Sequence, residues 1–371
     1  MKKICMLQNS LTYGGTDTFV INLCNGLVRD GYDVTVILSV DKVQDLPREK
    51  ELVDTGCRIV KTCALNSIKS KLRHLKLLYK ELKQGKYDVF QSNIDLFNGP
   101  QMLVAWLAGV PLRECHSHNS QQGRELSEGM TLSIKVYQRI MRWLCWTFSN
   151  RRCGCSESAL DFLFNYRWKK DASARIIHNG IDLFEYQKSV DIAKKKQELG
   201  LTNQYNICAV GRISYQKNPE FLLETFYEVS KTRNDIDLIW CGTGDLQDAI
   251  REKINDLGLT KRVHLLGGRS DIPEVLACSN LFLLPSRFEG LGIVLVEAQA
   301  ASLPCVISDV IPKEVDCGLC LAISLEQSAE YWAKQIVRIL DGELVFKLNA
   351  QKLNTYSIDN MVKEMEEVFE S

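Results

Sequence analysis

Four charged residues in the second half of the chain have the types and spacing to bind a phosphate-bearing ligand. Arg212 and Lys217 lie five positions apart, directly after the apolar stretch "YNICAV". A guanidinium fork and an ammonium group at the end of a strand suit a diphosphate, although a solvated basic loop has the same composition. Glu289 can accept hydrogen bonds from sugar hydroxyls, and Glu297, among apolar neighbours, needs a hydroxyl-bearing partner such as ribose. As a bare pair, two such glutamates would mostly arise by chance.

Glycine turns precede two predicted helices and favour the same ligand class. Gly14 and Gly15 stand directly before "TDTFVINLCNGL", and Gly290, Leu291 and Gly292 stand directly before "IVLVEAQAA". Free backbone N–H groups at a helix start can approach an anion when no side chain intervenes. A glycine turn between a strand and a helix also forms without any ligand. The hypothesis of a phosphate-bearing ligand therefore depends on the charged residues.

Other cofactor chemistry is disfavoured by the motifs. The dinucleotide fingerprint G-x-G-x-x-G is absent after the first strand, and Gln247 occupies its third glycine position in the second half. Cys317 and Cys320 have the spacing of half a zinc site, but no second well-spaced pair accompanies them. Asp235 and Asp237 resemble a metal-binding D-x-D pattern, yet they precede a strand, where we interpret them as solvated. We therefore predict no metal and no cofactor.

Strand-like and helix-like runs alternate along the chain and must position these residues. The alternation runs from "KKICMLQ" to "MLVAWLAG" and restarts at "YNICAVGRI". This pattern predicts an α/β protein with two tandem Rossmann-like parallel-sheet domains, whose ligands bind at the carboxyl ends of the strands in the interdomain cleft. We place the domains at residues 1–183 and 184–354, and predict that a C-terminal helix at 355–371 completes the first.

Composition limits the environment and the partners. The 371 residues carry 46 basic and 46 acidic side chains, which argues against nucleic-acid binding. No apolar run is long enough to span a membrane, and the 14 cysteines are mostly isolated in apolar segments, which fits a reducing cytoplasm. We therefore predict a cytoplasmic protein.

Taken together, these motifs resemble the retaining glycosyltransferases of family 4. The resemblance rests on Glu289-x7-Glu297, Arg212 with Lys217, the paired glycines 14 and 15, and "HNGID" near the domain join. The segment "ECHSHNS" is similar to the bacterial polysaccharide-biosynthesis branch of that family. This family has the GT-B fold, so the resemblance implies a metal-independent, retaining hexosyltransferase that uses a nucleotide sugar, with uridine as the usual base.

The resemblance also implies residue roles. Arg212 and Lys217 would bind the donor diphosphate and neutralise the leaving group, Glu289 would hold the donor sugar, and Glu297 would hold the ribose. Backbone amides of Gly290, Leu291 and Gly292 and the glycines at 14 and 15 would approach the donor, and the segment opened by Arg269 would meet the base. The histidine beside the reacting carbon falls in "HSHN"; we favour His118, with His116 as the other candidate.

Several functional alternatives remain open at this stage. A nucleotide-sugar 2-epimerase shares the fold and the donor, although the Glu-x7-Glu pattern argues against it, and a non-catalytic sugar-nucleotide binding protein has the same binding residues. The acceptor implied by the resemblance is a glycan or a saccharide linked to polyprenyl diphosphate. The donor sugar, the linkage and the oligomeric state are not indicated.

A basic amphipathic segment predicts contact with a membrane surface. In "KSKLRHLKLLYKELKQGK", Lys76, Lys80 and Lys83 alternate with leucines at helical spacing. Such a helix either packs its leucines in the core with a solvated basic face, or rests on anionic lipid headgroups. "YQRIMRWLCWTFSNRR" adds tryptophans and arginines in the same domain, so we predict peripheral contact with an anionic membrane.

Overall fold

The computed structural model describes residues 1–12, 14–120 and 131–370. The chain divides into two compact units, the first formed by Met1–Ile181 with Thr355–Ser371 and the second by Asp182–Asn354. The strands are Lys3–Gln8 (β1), Asp33–Leu38 (β2), Arg58–Lys61 (β3), Val89–Ser92 (β4), Leu112–Ser117 (β5), Arg151–Gly154 (β6), Ala174–Ile176 (β7), Tyr205–Val210 (β8), Ile236–Cys241 (β9), Val263–Gly267 (β10), Leu281–Leu284 (β11), Cys305–Ser308 (β12) and Cys320–Ile323 (β13).

Helices connect and cover these strands. The α-helices are Gly15–Arg29 (α1), Glu49–Asp54 (α2), Ile68–Gly85 (α3), Asn98–Ala108 (α4), Leu132–Phe148 (α5), Glu157–Phe164 (α6), Ile192–Glu198 (α7), Pro219–Thr232 (α8), Gln247–Asp256 (α9), Ile272–Ala277 (α10), Ile293–Ala300 (α11), Ala329–Leu340 (α12), Ala350–Asn354 (α13) and Ile358–Glu370 (α14). Among the described residues, no helix combines the length and apolar character needed to cross a membrane.

Each unit contains one parallel sheet, which confirms the predicted fold class. The first has seven strands in the order β3-β2-β1-β4-β5-β6-β7, and the second has six in the order β10-β9-β8-β11-β12-β13. Both orders reverse direction beside their first strand, between β1 and β4 and between β8 and β11. Ligands of open parallel sheets bind at this switch point, so the loops after those four strands are the expected ligand-binding loops.

The C-terminal helix α14 packs into the core of the first unit. Met361, Val362, Met365 and Val368 are buried in the same core cluster as residues of α1. Gly26 of α1 makes this packing close: a Cβ atom at that position would lie 2.2 Å from Val362 Cγ2. Only glycine lets the two helices approach this far.

Candidate functional site

The loops after β8 and β11 lie side by side in the second unit. β8 and β11 pair in parallel, with Leu281 opposite Ile207, so their carboxyl ends lie at the same edge of the sheet. The two loops are joined directly, since the backbone N–H of Arg287 donates to the carbonyl of Gln216 at 2.8 Å. This hydrogen bond brings the predicted basic pair and the predicted Glu289 turn together.

Lys217 and Glu289 form the centre of this cluster. Lys217 Nζ lies 2.6 Å from Glu289 Oε1, and the two side chains are only 13% and 6% exposed. Glu289 also accepts from the Ser286 hydroxyl at 2.6 Å and from Gln216 Nε2 at 3.1 Å. A buried carboxylate held by a cation and two neutral donors is fixed in orientation. Glu289 is therefore preorganised to accept further hydrogen bonds.

A glycine beneath Lys217 allows its side chain to lie across the end of β8. Gly211 has φ +138°, and a Cβ atom there would lie 2.7 Å from Lys217 Cε. Any other residue would be strained and would displace the ammonium group from Glu289. After Lys217, Asn218 adopts φ 53° and Pro219 opens helix α8, which ends the loop sharply.

Arg212 differs from Lys217 in its surroundings. Its side chain is exposed, and within the part of the chain that the structure describes it has no ion pair or hydrogen bond. An unpaired guanidinium at the carboxyl edge of a sheet is free to bind an anionic ligand. The alternative interpretation of this stretch as a solvated basic loop therefore fails for Lys217, because that side chain is largely buried and already paired.

The turn that follows Glu289 leads into helix α11. Gly292 is the N-cap residue of this helix with φ 82°, and Leu291 is buried. The Ser308 hydroxyl donates to the carbonyl of Ser286 at 2.6 Å and ties the turn to β12. Gly290, Leu291 and Gly292 thus lie where the sequence predicted them, at the start of a helix beside the carboxylate.

Glu297 has a hydroxyl-bearing partner within the protein. Tyr186, in the short 3-10 helix Glu185–Gln187, has its phenol beside the Glu297 carboxylate, and burial together with Glu297 raises the pKa of Tyr186. The need for such a partner was predicted from the apolar surroundings of Glu297, but a side chain of the chain itself fills part of that need. A carboxylate accepts several hydrogen bonds, so Glu297 retains capacity for a ligand hydroxyl.

Arg269 is engaged within its own segment. Its guanidinium donates to both oxygens of Asp271, and Lys195 of α7 donates to the same carboxylate at 2.9 Å. The Arg269 hydrogen bonds lower the pKa of Asp271 to about 2. Arg269 therefore fixes the backbone before α10 rather than presenting a free cation.

In the first unit, the glycine turn is closed by Asp17. Gly14 is the N-cap of α1, and Gly15 is the first residue of that helix. The buried Asp17 carboxylate accepts from Gln8 Nε2 at 2.6 Å and from the Thr12 N–H and hydroxyl at 2.8 and 2.7 Å. Asp17 thus joins the end of β1 to the start of α1 and fixes the turn.

The two candidate histidines stack beside each other at the end of β5. Their ring centroids are 4.5 Å apart, and Phe19 of α1 packs against both rings at 4.7 and 4.9 Å. His116 lies inside the strand and is fully buried, whereas His118 follows the strand and is 7% exposed. Burial, with a smaller effect of His116, holds the pKa of His118 well below its usual value.

Asp95 and Asn93, which follow β4, position His118. The Asp95 carboxylate accepts from the backbone N–H of His118 at 2.9 Å and also from Asn119, while Asn93 Oδ1 lies 3.0 Å from His118 Nε2. Asp95 adopts φ 47°, a conformation rare for any residue but glycine. The sequence analysis missed both residues; the polar ending of "VFQSNID" was the available signal, because β4 and β5 end at one edge.

One sequence interpretation is corrected in the second unit. Asp235 precedes β9 as expected, but Asp237 lies within that strand and is fully buried, not solvated. Asn203 Nδ2 donates to the Asp237 carboxylate at 2.7 Å. This pairing explains how the strand tolerates a carboxylate in the core, and it places the residue at the amino end of β9.

Comparison with known proteins matches both units. The model described as "Glycosyltransferase Family 4" matches residues 13–184, and the model described as "Glycosyl transferases group 1" matches residues 204–342. EpsF of Bacillus subtilis (strain 168), which is named as a glycosyltransferase, is 29% identical over 343 residues, which cover 91% of this chain and 87% of EpsF.

Two further comparisons concern an enzyme and a fold. The Escherichia coli enzyme named UDP-Gal:alpha-D-GlcNAc-diphosphoundecaprenol alpha-1,3-galactosyltransferase is 28% identical over 263 residues, which cover 70% of this chain and 65% of that enzyme. The crystal structure of Anabaena HepE in complex with UDP and glucose superposes with a TM-score of 0.81, at 19% identity and with 100% of both chains covered. This structural likeness concerns the fold.

Proposed function

We propose that this chain, whose two units match the models of Glycosyltransferase Family 4 and of the group 1 glycosyl transferases, transfers a sugar from a uridine diphosphate sugar to a saccharide acceptor in the synthesis of a cell-surface polysaccharide. The observation that carries this proposal is the cluster of Lys217, Glu289, Ser286 and Gln216 beside the unpaired Arg212. The relatives that match are named glycosyltransferases, so the comparisons give no support to the epimerase alternative.

The proposed donor site lies in the second unit. The free guanidinium of Arg212 and the Lys217 ammonium bind the diphosphate and stabilise the negative charge that grows on it as the glycosidic bond to the donor breaks. Glu289 accepts hydrogen bonds from the sugar hydroxyls, and Glu297 accepts them from the ribose. The start of α11, with its free N–H groups, adds a positive partial charge near the same carboxylate.

We propose a retaining reaction that uses no divalent metal at the diphosphate. Two cationic side chains and a helix start provide the charge that a metal ion would otherwise provide. Glu289 already accepts three hydrogen bonds, which suits a group that holds hydroxyls better than one that removes a proton. In the proposed front-face reaction, the departing phosphate takes the acceptor proton, and the new bond forms on the same face of the sugar.

We propose that the first unit binds the acceptor and that His118 contacts a sugar. The low pKa of His118 keeps its ring neutral at physiological pH, so it can contact a sugar by hydrogen bonding without adding charge. The name of the Escherichia coli relative includes a saccharide on a diphosphoundecaprenol carrier. We propose that this chain also uses a lipid-linked saccharide.

The first unit has a surface that suits such an acceptor. On α5, Leu132, Val136, Ile140 and Trp143 are all at least 48% exposed and recur at helical spacing, with exposed Lys135 and Arg139 among them. On α3, Leu78 and Leu82 are buried, but Leu72 is 63% exposed beside Lys76, Lys80 and Lys83. Exposed apolar and basic side chains together favour peripheral binding to anionic lipid headgroups.

A donor and acceptor screen tests the proposed reaction. Purified protein is incubated with individual nucleotide sugars, with and without polyprenyl-diphosphate-linked saccharides, and release of nucleoside diphosphate is measured. We expect acceptor-dependent release of UDP from one donor. A failure to release any nucleoside diphosphate with every acceptor, despite measurable UDP binding, would favour a non-catalytic binding protein.

Vesicle binding tests the membrane part separately. We expect salt-sensitive binding to vesicles with anionic lipid, reduced when Lys76, Lys80 and Lys83 are changed to glutamate and reduced again by Trp143→Ala. Equal partitioning of the wild type and the triple variant at low ionic strength would contradict this part and leave the donor site unaffected.

A further inference from the structure

Three polar side chains are brought together in the core of the first unit. Glu114 and His116 lie two residues apart on β5, so they share one face of the sheet. Cys153 of the neighbouring strand β6 is the register partner of His116, and its side chain therefore points to the same face. Glu114, His116 and Cys153, here called the Glu–His–Cys cluster, are all fully buried.

The Glu–His–Cys cluster lacks the hydrogen bonds that such burial normally requires. Neither carboxylate oxygen of Glu114 and neither ring nitrogen of His116 has a hydrogen-bond partner among the described residues. The nearest approach joins Glu114 Oε1 and His116 Nδ1, at 3.2 Å. A fully buried carboxyl group without partners is costly, and its presence calls for a group that compensates it.

The donor atoms of the Glu–His–Cys cluster have the spacing and chemistry of a metal site. One carboxylate oxygen, one imidazole nitrogen and the sulfur all lie within 4.8 Å of one another. Among the described residues, no other group of three or more His, Cys, Asp or Glu side chains meets that spacing. Sulfur, nitrogen and oxygen donors together suit Zn²⁺, which is bound by all three.

Charge favours the same ion. A doubly positive cation with one carboxylate, one thiolate and one neutral imidazole has no net charge, which is the condition for stability in a dry core. Binding of the ion displaces the thiol proton of Cys153 to solvent as the sulfur–metal bond forms.

We propose that Glu114, His116 and Cys153 bind one Zn²⁺ ion in the core of the first unit. Three protein ligands leave one tetrahedral position to a water molecule. The site goes beyond the proposed transferase activity and does not rest on it. Zinc binding gives the fully buried His116 a structural role, and it leaves His118 as the histidine available for a ligand.

Metal analysis of the intact chain tests this site. The protein is supplied with Zn²⁺ during expression and again on refolding, so that a closed core cannot hide the site, and bound metal is measured by plasma mass spectrometry after gel filtration. We expect about one zinc per chain, as one three-ligand site requires. Co²⁺ in its place should give a thiolate-to-metal charge-transfer band in the near ultraviolet.

Paired variants identify the ligands. Cys153→Ser and Glu114→Gln should reduce bound zinc to background, and Cys153→Ser should abolish the charge-transfer band. Cys5→Ser alters another fully buried cysteine of the same unit, in β1, and should retain both signals. Circular dichroism establishes that each variant is folded, and Glu114→Gln preserves side-chain size if Cys153→Ser does not fold. Folded wild type without stoichiometric zinc or cobalt, or equal metal in all variants, would overturn the proposal.

Discussion

The two units use the same arrangement of central strands but hold their polar residues in opposite ways. After β4 and β5, the first unit has buried, hydrogen-bonded side chains around a histidine whose pKa is held low, so that the His118 ring is neutral at physiological pH. After β8 and β11, the second unit has the ion pair of Lys217 and Glu289 beside an exposed Arg212. The shared topology determines where a site forms, and the loop residues determine which chemistry it performs.

The strongest test of this comparison removes each cation of the second unit. We expect Arg212→Ala and Lys217→Ala each to lower kcat by about 10² to 10³, the range for loss of one group that stabilises transition-state charge. They should differ in stability. Arg212→Ala should change the free energy of unfolding by less than about 0.5 kcal/mol, because the side chain is exposed. Lys217→Ala should cost about 1–3 kcal/mol, because Glu289 loses its cation in a buried site.

Steady-state kinetics and urea unfolding measure the two effects. Arg251→Ala, at an exposed position of α9 in the same unit, is the matched control and should change neither. Wild-type turnover in both site variants would remove the assignment of the diphosphate site, and equal stability losses would contradict the different burial of the two cations.

Acid should lower the free energy of unfolding of the first unit by a few kcal/mol more than that of the second. Burial lowers the pKa of His74 to about 4 and holds that of His118 low, while both groups have a pKa near 6.5 when unfolded. The unfolded chain therefore binds more protons as the pH falls below about 6.5, and each histidine costs stability of about 1.4 kcal/mol per pH unit until its folded pKa is reached. In the second unit, Asp271 has a pKa of about 2, so its contribution is lost only as the pH falls from about 4 to 2.

Hydrogen exchange followed by mass spectrometry can locate this loss. Between pH 6.5 and 4.5 we expect protection to fall first in β4, β5 and α3 of the first unit. His74→Gln should reduce the slope of unfolding free energy against pH in that range. Simultaneous loss of protection in both sheets would show that the buried histidines do not determine acid stability.

A smaller effect is expected at the Tyr186–Glu297 contact. Tyr186→Phe retains the ring but removes the hydroxyl beside Glu297, so UDP should bind about fivefold more weakly, equivalent to roughly 1 kcal/mol for one polar contact. Calorimetric titration with UDP measures this, and Tyr331→Phe, at an exposed position of α12, is the control. Unchanged affinity in Tyr186→Phe would mean that Glu297 is oriented by other contacts.

The smallest expected effect concerns divalent metal ions in the assay. Turnover should be unchanged by EDTA or by added Mg²⁺, because cationic side chains bind the diphosphate in place of a metal ion. The proposed zinc site in the first unit is buried, so EDTA should not reach it during the assay. Loss of activity in EDTA that Mg²⁺ or Mn²⁺ restores would show that the second unit holds its diphosphate through a metal.

Sequence patterns predicted the two parallel sheets because their signal is local. Apolar strands such as β8 and helices such as α8 are each recognisable within a short window, and the alternation then specifies the fold class. The same holds for the turn at Gly292, since glycine before an apolar helical run is visible without any partner.

Contacts between distant segments could not be predicted in this way. Tyr186 reaches Glu297 from a 3-10 helix in another part of the chain, and nothing around either residue indicates the pairing. Asp237 was expected to be solvated because a carboxylate near a strand start usually is, but Asn203 and burial reverse that expectation. Lys217 lies in a stretch whose composition also fits a solvated basic loop, and its pairing with Glu289 is not visible in the sequence.

The return of α14 to the first unit has a consequence for synthesis on the ribosome. The second unit is inserted between Ile181 and Thr355, so it emerges and can fold while the first unit still lacks its last helix. Until then, the surface of α1 around Gly26 exposes the apolar side chains that Val362, Met365 and Phe369 later cover. We expect chaperones to bind the nascent first unit until α14 has emerged from the ribosome and packed against α1.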